Sequence, residues 1–134
     1  DKSKYKYIAL LQPTSPLRPI NIISDAIKLL QRNKFFQNVI HLEKTYYKIG
    51  TISSKNEWSP MYKSNFRGQD INNQFRPSGC LFLYLLKDFE NYKKFLKRKS
   101  YGFISKNNIE TVNIDTEEDF LKLIYLLKIG NKID

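Results

Sequence analysis

Short apolar runs alternating with helix-spaced stripes, a proline-stiffened loop after the first run and an acidic helix start mark this 134-residue chain as an α/β protein on a mostly parallel sheet. Tyr7-Ile8-Ala9-Leu10-Leu11 is unbroken by polar residues, the pattern of a strand buried on both faces in such a sheet. It stops at Gln12-Pro13-Thr14-Ser15-Pro16-Leu17-Arg18. The two prolines exclude helix and central strand, so Gln12, Thr14, Ser15 and Arg18 sit on a stiff loop at the strand's C-terminal end. From Asn21 to Arg32 the residues Ile22, Ile23, Ala26, Ile27, Leu29 and Leu30 recur at helical spacing, and Asn38 to Leu42 reads as the next strand. Strand, loop, helix and strand in succession make a βαβ unit with a right-handed crossover.

Tyr46 to Ser53 and Glu57 to Tyr62 flank the turn-forming Ser54-Lys55-Asn56, which predicts a hairpin or arm outside the sheet, over about 46–76. Lys63 to Gln74, with Arg67-Gly68-Gln69-Asp70, is polar and reads as irregular. Pro77-Ser78-Gly79 turns the chain into Cys80 to Leu85, a second buried strand, followed by a helix from Lys87 to Arg98 and a strand from Tyr101 to Ser105. Thr111-Val112-Asn113-Ile114 alternates as a strand does. Asp115-Thr116-Glu117-Glu118-Asp119 then opens a last helix running to Lys128, with Phe120, Leu123, Ile124 and Leu127 as its inner stripe. Thr116 and Asp119 are spaced as a capping box with Asp in the Glu place. No internal repeat or linker divides residues 1–134, which read as a single domain carrying its arm.

Composition excludes several classes. Hydrophobic residues at 41% and aromatics at 14% are too many for a disordered chain. No apolar run is long enough for a membrane span. One cysteine and one histidine rule out a disulfide framework, a thiolate zinc cluster and a multi-histidine metal site, and imply a reducing, cytoplasmic setting. The net charge of +10 invites a nucleic-acid reading, but the lysines are scattered. Their densest group, Lys93, Lys94, Lys97, Arg98 and Lys99, interleaves with Phe89, Tyr92, Phe95 and Leu96 as the wet face of an amphipathic helix. No Ser-His-Asp set exists, Cys80 lies in an apolar run that makes it inert, and His41 reads as structural.

In open α/β sheets ligands bind beyond the C-terminal strand ends. With the first and last strands as neighbours, Gln12 and Arg18 face Asn113 and Asp115 across one crevice. Arginine and glutamine suit an anionic, hydroxyl-rich ligand, and aspartate and asparagine oxygens suit Mg²⁺ completed by substrate phosphates. Each piece also has an ordinary reading: Asp115-Thr116 as a cap, Pro-Thr-Ser-Pro as a rigid turn, Arg67 to Asp70 as exposed loop, Phe82 and Phe95 as core.

Order and spacing add to this. Leu10-Leu11-Gln12-Pro13-Thr14-Ser15-Pro16-Leu17-Arg18 resembles the LLQPTSPLR signature of the acylneuraminate cytidylyltransferases, the CMP-sialic acid synthetases and their relatives acting on legionaminic and pseudaminic acids. Ser59-Pro60-Met61 is similar to the family's A-P-M, Arg67-Gly68-Gln69 to R-x-Q, Phe75-Arg76-Pro77-Ser78-Gly79 to F-R-P-N-G, and Ile114-Asp115-Thr116-Glu117-Glu118-Asp119-Phe120 to I-D-T-E-x-D. The resemblance implies a Rossmann-like, glycosyltransferase-A-like nucleotidyltransferase sheet with a protruding dimerisation arm. It implies transfer of CMP from CTP to a nine-carbon 2-keto acid sugar of the sialic, legionaminic or pseudaminic type, releasing pyrophosphate without a covalent enzyme intermediate, so no nucleophile is expected.

By the same resemblance Gln12, Arg18, Gln69, Ser78 and Gly79 would contact substrate, and Phe82 and Phe95 would line an apolar pocket for the acylamino group. Lys48 and Arg67 would reach the partner subunit's sugar site in a homodimer, and Asp115 with Asn113 would bind Mg²⁺. Three departures matter. Asn113 stands where the family has the first Asp of D-x-D, removing one negative charge; Ser78 replaces Asn, and Phe82 a frequent Tyr. The family's glycine-rich basic loop for CTP is absent ahead of Tyr7, so the chain is expected to be a C-terminal portion, inactive alone. The alternatives are a degenerate, non-catalytic family member and a basic nucleic-acid-binding α/β module.

Overall fold

Ile22, Ala26 and Leu30 recur one helical turn apart, and the sheet is arranged to cover them. The computed structural model describes residues 4–45, 48–62, 74–89 and 99–130. Its elements are β1 (Tyr7–Leu10), α1 (Ile22–Arg32), β2 (Asn38–Lys44), β3 (Gly50–Ile52), β4 (Trp58–Pro60), β5 (Phe75–Leu85), α2 (Leu86–Phe89), β6 (Ser100–Ile104) and α3 (Glu117–Gly130). The chain divides into two compact units, Asp1–Glu43 with Pro77–Asp134, and Lys44–Arg76.

The larger unit is a mixed α/β layer on a four-stranded sheet of order β1-β5-β2-β6. The expectation of a mostly parallel sheet is corrected here. β1 runs antiparallel to β5, from Tyr7 opposite Leu85 to Leu10 opposite Phe82. β2 also runs against β5, since the Leu85 amide bonds the Gln37 carbonyl at one end and the Thr45 amide bonds the Gln74 carbonyl at the other. Only β2 and β6 are parallel, with Asn38 opposite Ser100 and Leu42 opposite Ile104. An apolar run gives burial but no direction, so the return of β5 between β1 and β2 was not encoded in the periodicity.

The core is Ile22, Ala26 and Leu30 of α1 against Val39, Cys80, Leu81 and Leu83. Val39, Leu81 and Leu83 are 0–1% exposed, each contributing about 1.5–3 kcal/mol of transfer free energy. β1 sits at the sheet edge with Ala9 and Leu10 exposed, contrary to the reading of a strand buried on both faces. Thr111 to Ile114 forms no strand. In α3 only Leu123 of the expected stripe is buried, while Phe120 and Leu127 are about half exposed. The Thr116–Asp119 capping box is present: the Asp119 amide donates to Thr116 Oγ1 at 3.2 Å and the Thr116 amide to Asp119 Oδ2 at 3.1 Å. These bonds, the threonine hydroxyl first, hold the Asp119 carboxyl below its ordinary value. The expected helix from Lys87 to Arg98 is described only as α2, the remainder lying outside the described residues.

The smaller unit, 44–76, holds the antiparallel pair β3·β4, Gly50 opposite Pro60 and Ile52 opposite Trp58, closed by a turn with Asn56 at φ 62°. The hairpin is shorter than the sequence predicts. Among the described residues no helix is long and apolar enough to cross a membrane.

Candidate functional site

The geometry centres on a kink in β5. Gly79 has φ +81°, a left-handed conformation that favours glycine. A Cβ there would run into the Gln12 side-chain oxygen and lie 3.2 Å from Ser15 Oγ. Glycine is thus required twice over, for backbone conformation and for the seat of Gln12. The Gly79 carbonyl accepts the Gln12 amide at 3.2 Å, and Gln12 itself is exposed.

Arg18 closes the proline loop. Its Nε donates to the Cys80 carbonyl at 2.8 Å and its Nη2 to the Gln12 carbonyl at 2.6 Å. The guanidinium expected to face an anion gives these two donors to main chain, which ties the loop to β5. The Ser15 amide closes a turn onto the same Gln12 carbonyl at 3.2 Å. Ser15 is 1% exposed, with its hydroxyl unpartnered beside Gly79.

A backbone bond ties this loop to the acidic segment: the Ile114 amide donates to the Thr14 carbonyl at 2.8 Å. It places Asn113 and Asp115, the neighbours of Ile114, beside the Gln12–Arg18 loop without the strand pairing the sequence predicts. Asn113 Nδ2 donates to Asp115 Oδ2, and Asn113 Oδ1 is buried with no hydrogen-bond partner. An orphaned amide oxygen beside an exposed carboxylate fits a hard divalent cation that takes few protein oxygens and completes its shell with phosphate and water. The described residues contain no cluster of three or more acidic, histidine or cysteine ligands.

Phe82 lies three residues beyond Gly79 on β5, half-buried and opposite the exposed Leu10. Lys48 belongs to the smaller unit, its ammonium 5.7 Å from the centre of the Tyr62 ring. Arg67, Gln69 and Phe95 lie outside the described residues. Ser78, expected to contact substrate, is 4% exposed, its Oγ 2.6 Å from His41 Nδ1, and it accepts the Cys80 amide at 3.2 Å. Sequence reasoning missed this pair, which joins positions 37 residues apart without a motif.

Burial holds the His41 imidazole below its ordinary value of 6.5, against the opposing charges of Glu110 and Glu43. The neutral form is therefore the folded form, and its stabilisation is complete above 6.5 and lost as pH falls through the folded value, because the unfolded chain protonates first. His41 is the one histidine of the chain. The thermal midpoint should fall between about pH 7.5 and about pH 5.5, and the His41→Leu protein should lack that histidine-dependent fall; equal slopes in both would contradict the assignment.

No family model matches the chain. It is 27% identical over 132 residues to an N-acylneuraminate cytidylyltransferase of Escherichia coli O18:K1:H7 (strain RS218 / NMEC), covering 96% of this chain and 31% of that protein. The chain thus spans about a third of the length of the curated relative it matches. Its fold is similar to the crystal structure of 4-diphosphocytidyl-2C-methyl-D-erythritol synthase from Anaerococcus prevotii DSM 20548, with a TM-score of 0.63 and 14% identity over 95% of this chain and 61% of that one. At that identity the likeness is one of fold. The resemblance to the acylneuraminate cytidylyltransferases, first read from motifs, extends along nearly the whole chain.

Proposed function

We propose that the chain forms the sugar- and metal-binding side of a cytidylyltransferase, which transfers CMP from CTP to a nine-carbon 2-keto acid sugar in the cytoplasm. The observation that supports this reading is the bond from the Ile114 amide to the Thr14 carbonyl, which sets the segment carrying Asn113 and Asp115 against the loop carrying the exposed Gln12. In the reaction the sugar's anomeric oxygen bonds to the α-phosphorus as the bond to pyrophosphate breaks, and the hydroxyl proton leaves to solvent. Gln12 would hydrogen-bond the sugar through an amide that both donates and accepts. Phe82, with Phe95, would offer the acylamino group an apolar wall.

Asn113 Oδ1 and Asp115 would hold Mg²⁺. When bound, the ion supplies charge neutralisation on the phosphates and the departing pyrophosphate. Lys48 and Arg67 would complete the partner's site in a homodimer built through the 44–76 arm.

The test is pyrophosphate release from CTP and Mg²⁺ with sialic, legionaminic and pseudaminic acids in turn, using the protein as expressed from its own gene. Release with one of the three is the expected result. Silence with all three from a folded protein overturns the reading, and steeply salt-dependent binding of a generic oligonucleotide would then favour the nucleic-acid module.

A further inference from the structure

Ser78 and His41 are buried, polar and unused by the reaction just described, yet Ser78 immediately precedes Gly79, whose carbonyl takes the Gln12 amide of its exposed loop. The Ser78 hydroxyl makes three contacts: His41 Nδ1 at 2.6 Å, the His41 carbonyl at 3.4 Å, and the Cys80 amide, which donates to it at 3.2 Å. The last spans Gly79, so this hydroxyl closes the turn containing the left-handed residue. The two carbonyls that follow it hold the loop: that of Gly79 takes the Gln12 amide, and that of Cys80 takes Arg18 Nε. On its other side the His41 ring meets Phe103 edge-on with centroids 5.4 Å apart, so the imidazole is fixed between the hydroxyl and β6.

We propose that His41 and Ser78 are a positioning pair, which locks the Gly79 kink and, through the Gly79 and Cys80 carbonyls, fixes the Gln12 and Arg18 ends of the proline loop. The pair touches no substrate. It sets where the Gln12 amide stands, and only the identity of what Gln12 holds rests on the cytidylyltransferase reading.

The test is amide and guanidinium hydrogen exchange in the full chain, followed by NMR. In the unsubstituted protein the Cys80 and Gln12 amides should open together, with protection within about threefold of each other. Ser78→Ala and His41→Leu should each cut the protection of the Gln12 amide and the Arg18 Nε–H by about tenfold, the loss of one buried hydrogen bond. His41→Asn, whose side-chain oxygen can stand near the place of Nδ1, should restore most of it. Val39→Ala, a core truncation on the same strand, is the control for general loosening.

Equal loss in that control, no loss in the Ser78 and His41 variants, or uncorrelated opening in the unsubstituted chain each overturns the pair. Where pyrophosphate release is present, Ser78→Ala should raise KM for the acid sugar more than it lowers kcat. Should release be absent, the functional reading fails while the exchange result still decides the pair.

Discussion

Gly79→Ala should lower the melting midpoint by about 5 °C or more and release Gln12 from its seat. The left-handed conformation costs a non-glycine residue about 1–2 kcal/mol, which in a domain of this size moves the midpoint by several degrees. The added methyl group also collides with the Gln12 side-chain oxygen, and Ser15 Oγ stands behind at 3.2 Å. Ser15 is buried and pinned by its turn onto Gln12, so the flexible partner that yields is Gln12. Sugar binding should weaken along with stability. Thermal unfolding and NMR of the Gln12 side-chain amide check the two effects separately. An alanine protein with an unshifted midpoint and an unmoved Gln12 would show that the kink is relaxed and the seat unimportant.

Asp115→Ala should reduce Mg²⁺-dependent pyrophosphate release by about a hundredfold or more, on the scale of losing a preorganised charge at a developing oxyanion. The fold should tolerate it. Asp115 is exposed, its side chain accepts only from Asn113 among the described contacts, and the helix cap belongs to Thr116 and Asp119. A steep activity loss with an unchanged midpoint is the signature of a ligand contact. Loss of folding instead would return Asp115 to its ordinary capping role.

Much of this arrangement was legible in the sequence because local chemistry wrote it. Two prolines made the Gln12–Arg18 loop stiff, the helical spacing of Ile22, Ala26 and Leu30 named the face that α1 buries, and Thr116 with Asp119 announced the start of α3. What failed was non-local. The direction of β5 depends on how the chain returns after the 44–76 unit, and no residue in Cys80 to Leu85 records that. The strand expected over Thr111 to Ile114 does not form, and what ties that segment to the loop is a backbone bond from Ile114 to Thr14.

The surroundings of individual side chains were not legible for a related reason. Arg18 and Ser78 were read as ligand contacts from residue type and motif, whereas their neighbours are main-chain carbonyls and an imidazole that only folding brings near. The half-exposed Phe120 and Leu127 of α3 show the same limit, since helical period marks a stripe without saying what covers it.

The proposal that the proline loop and the Asn113–Asp115 segment hold one divalent cation is tested most directly by Mn²⁺ line broadening in the NMR spectrum, with and without CTP. Selective broadening of Gln12, Thr14, Asn113 and Ile114 together, abolished by Asp115→Ala, is the predicted result. Broadening confined to other acidic positions, or persisting unchanged in the alanine protein, would contradict it.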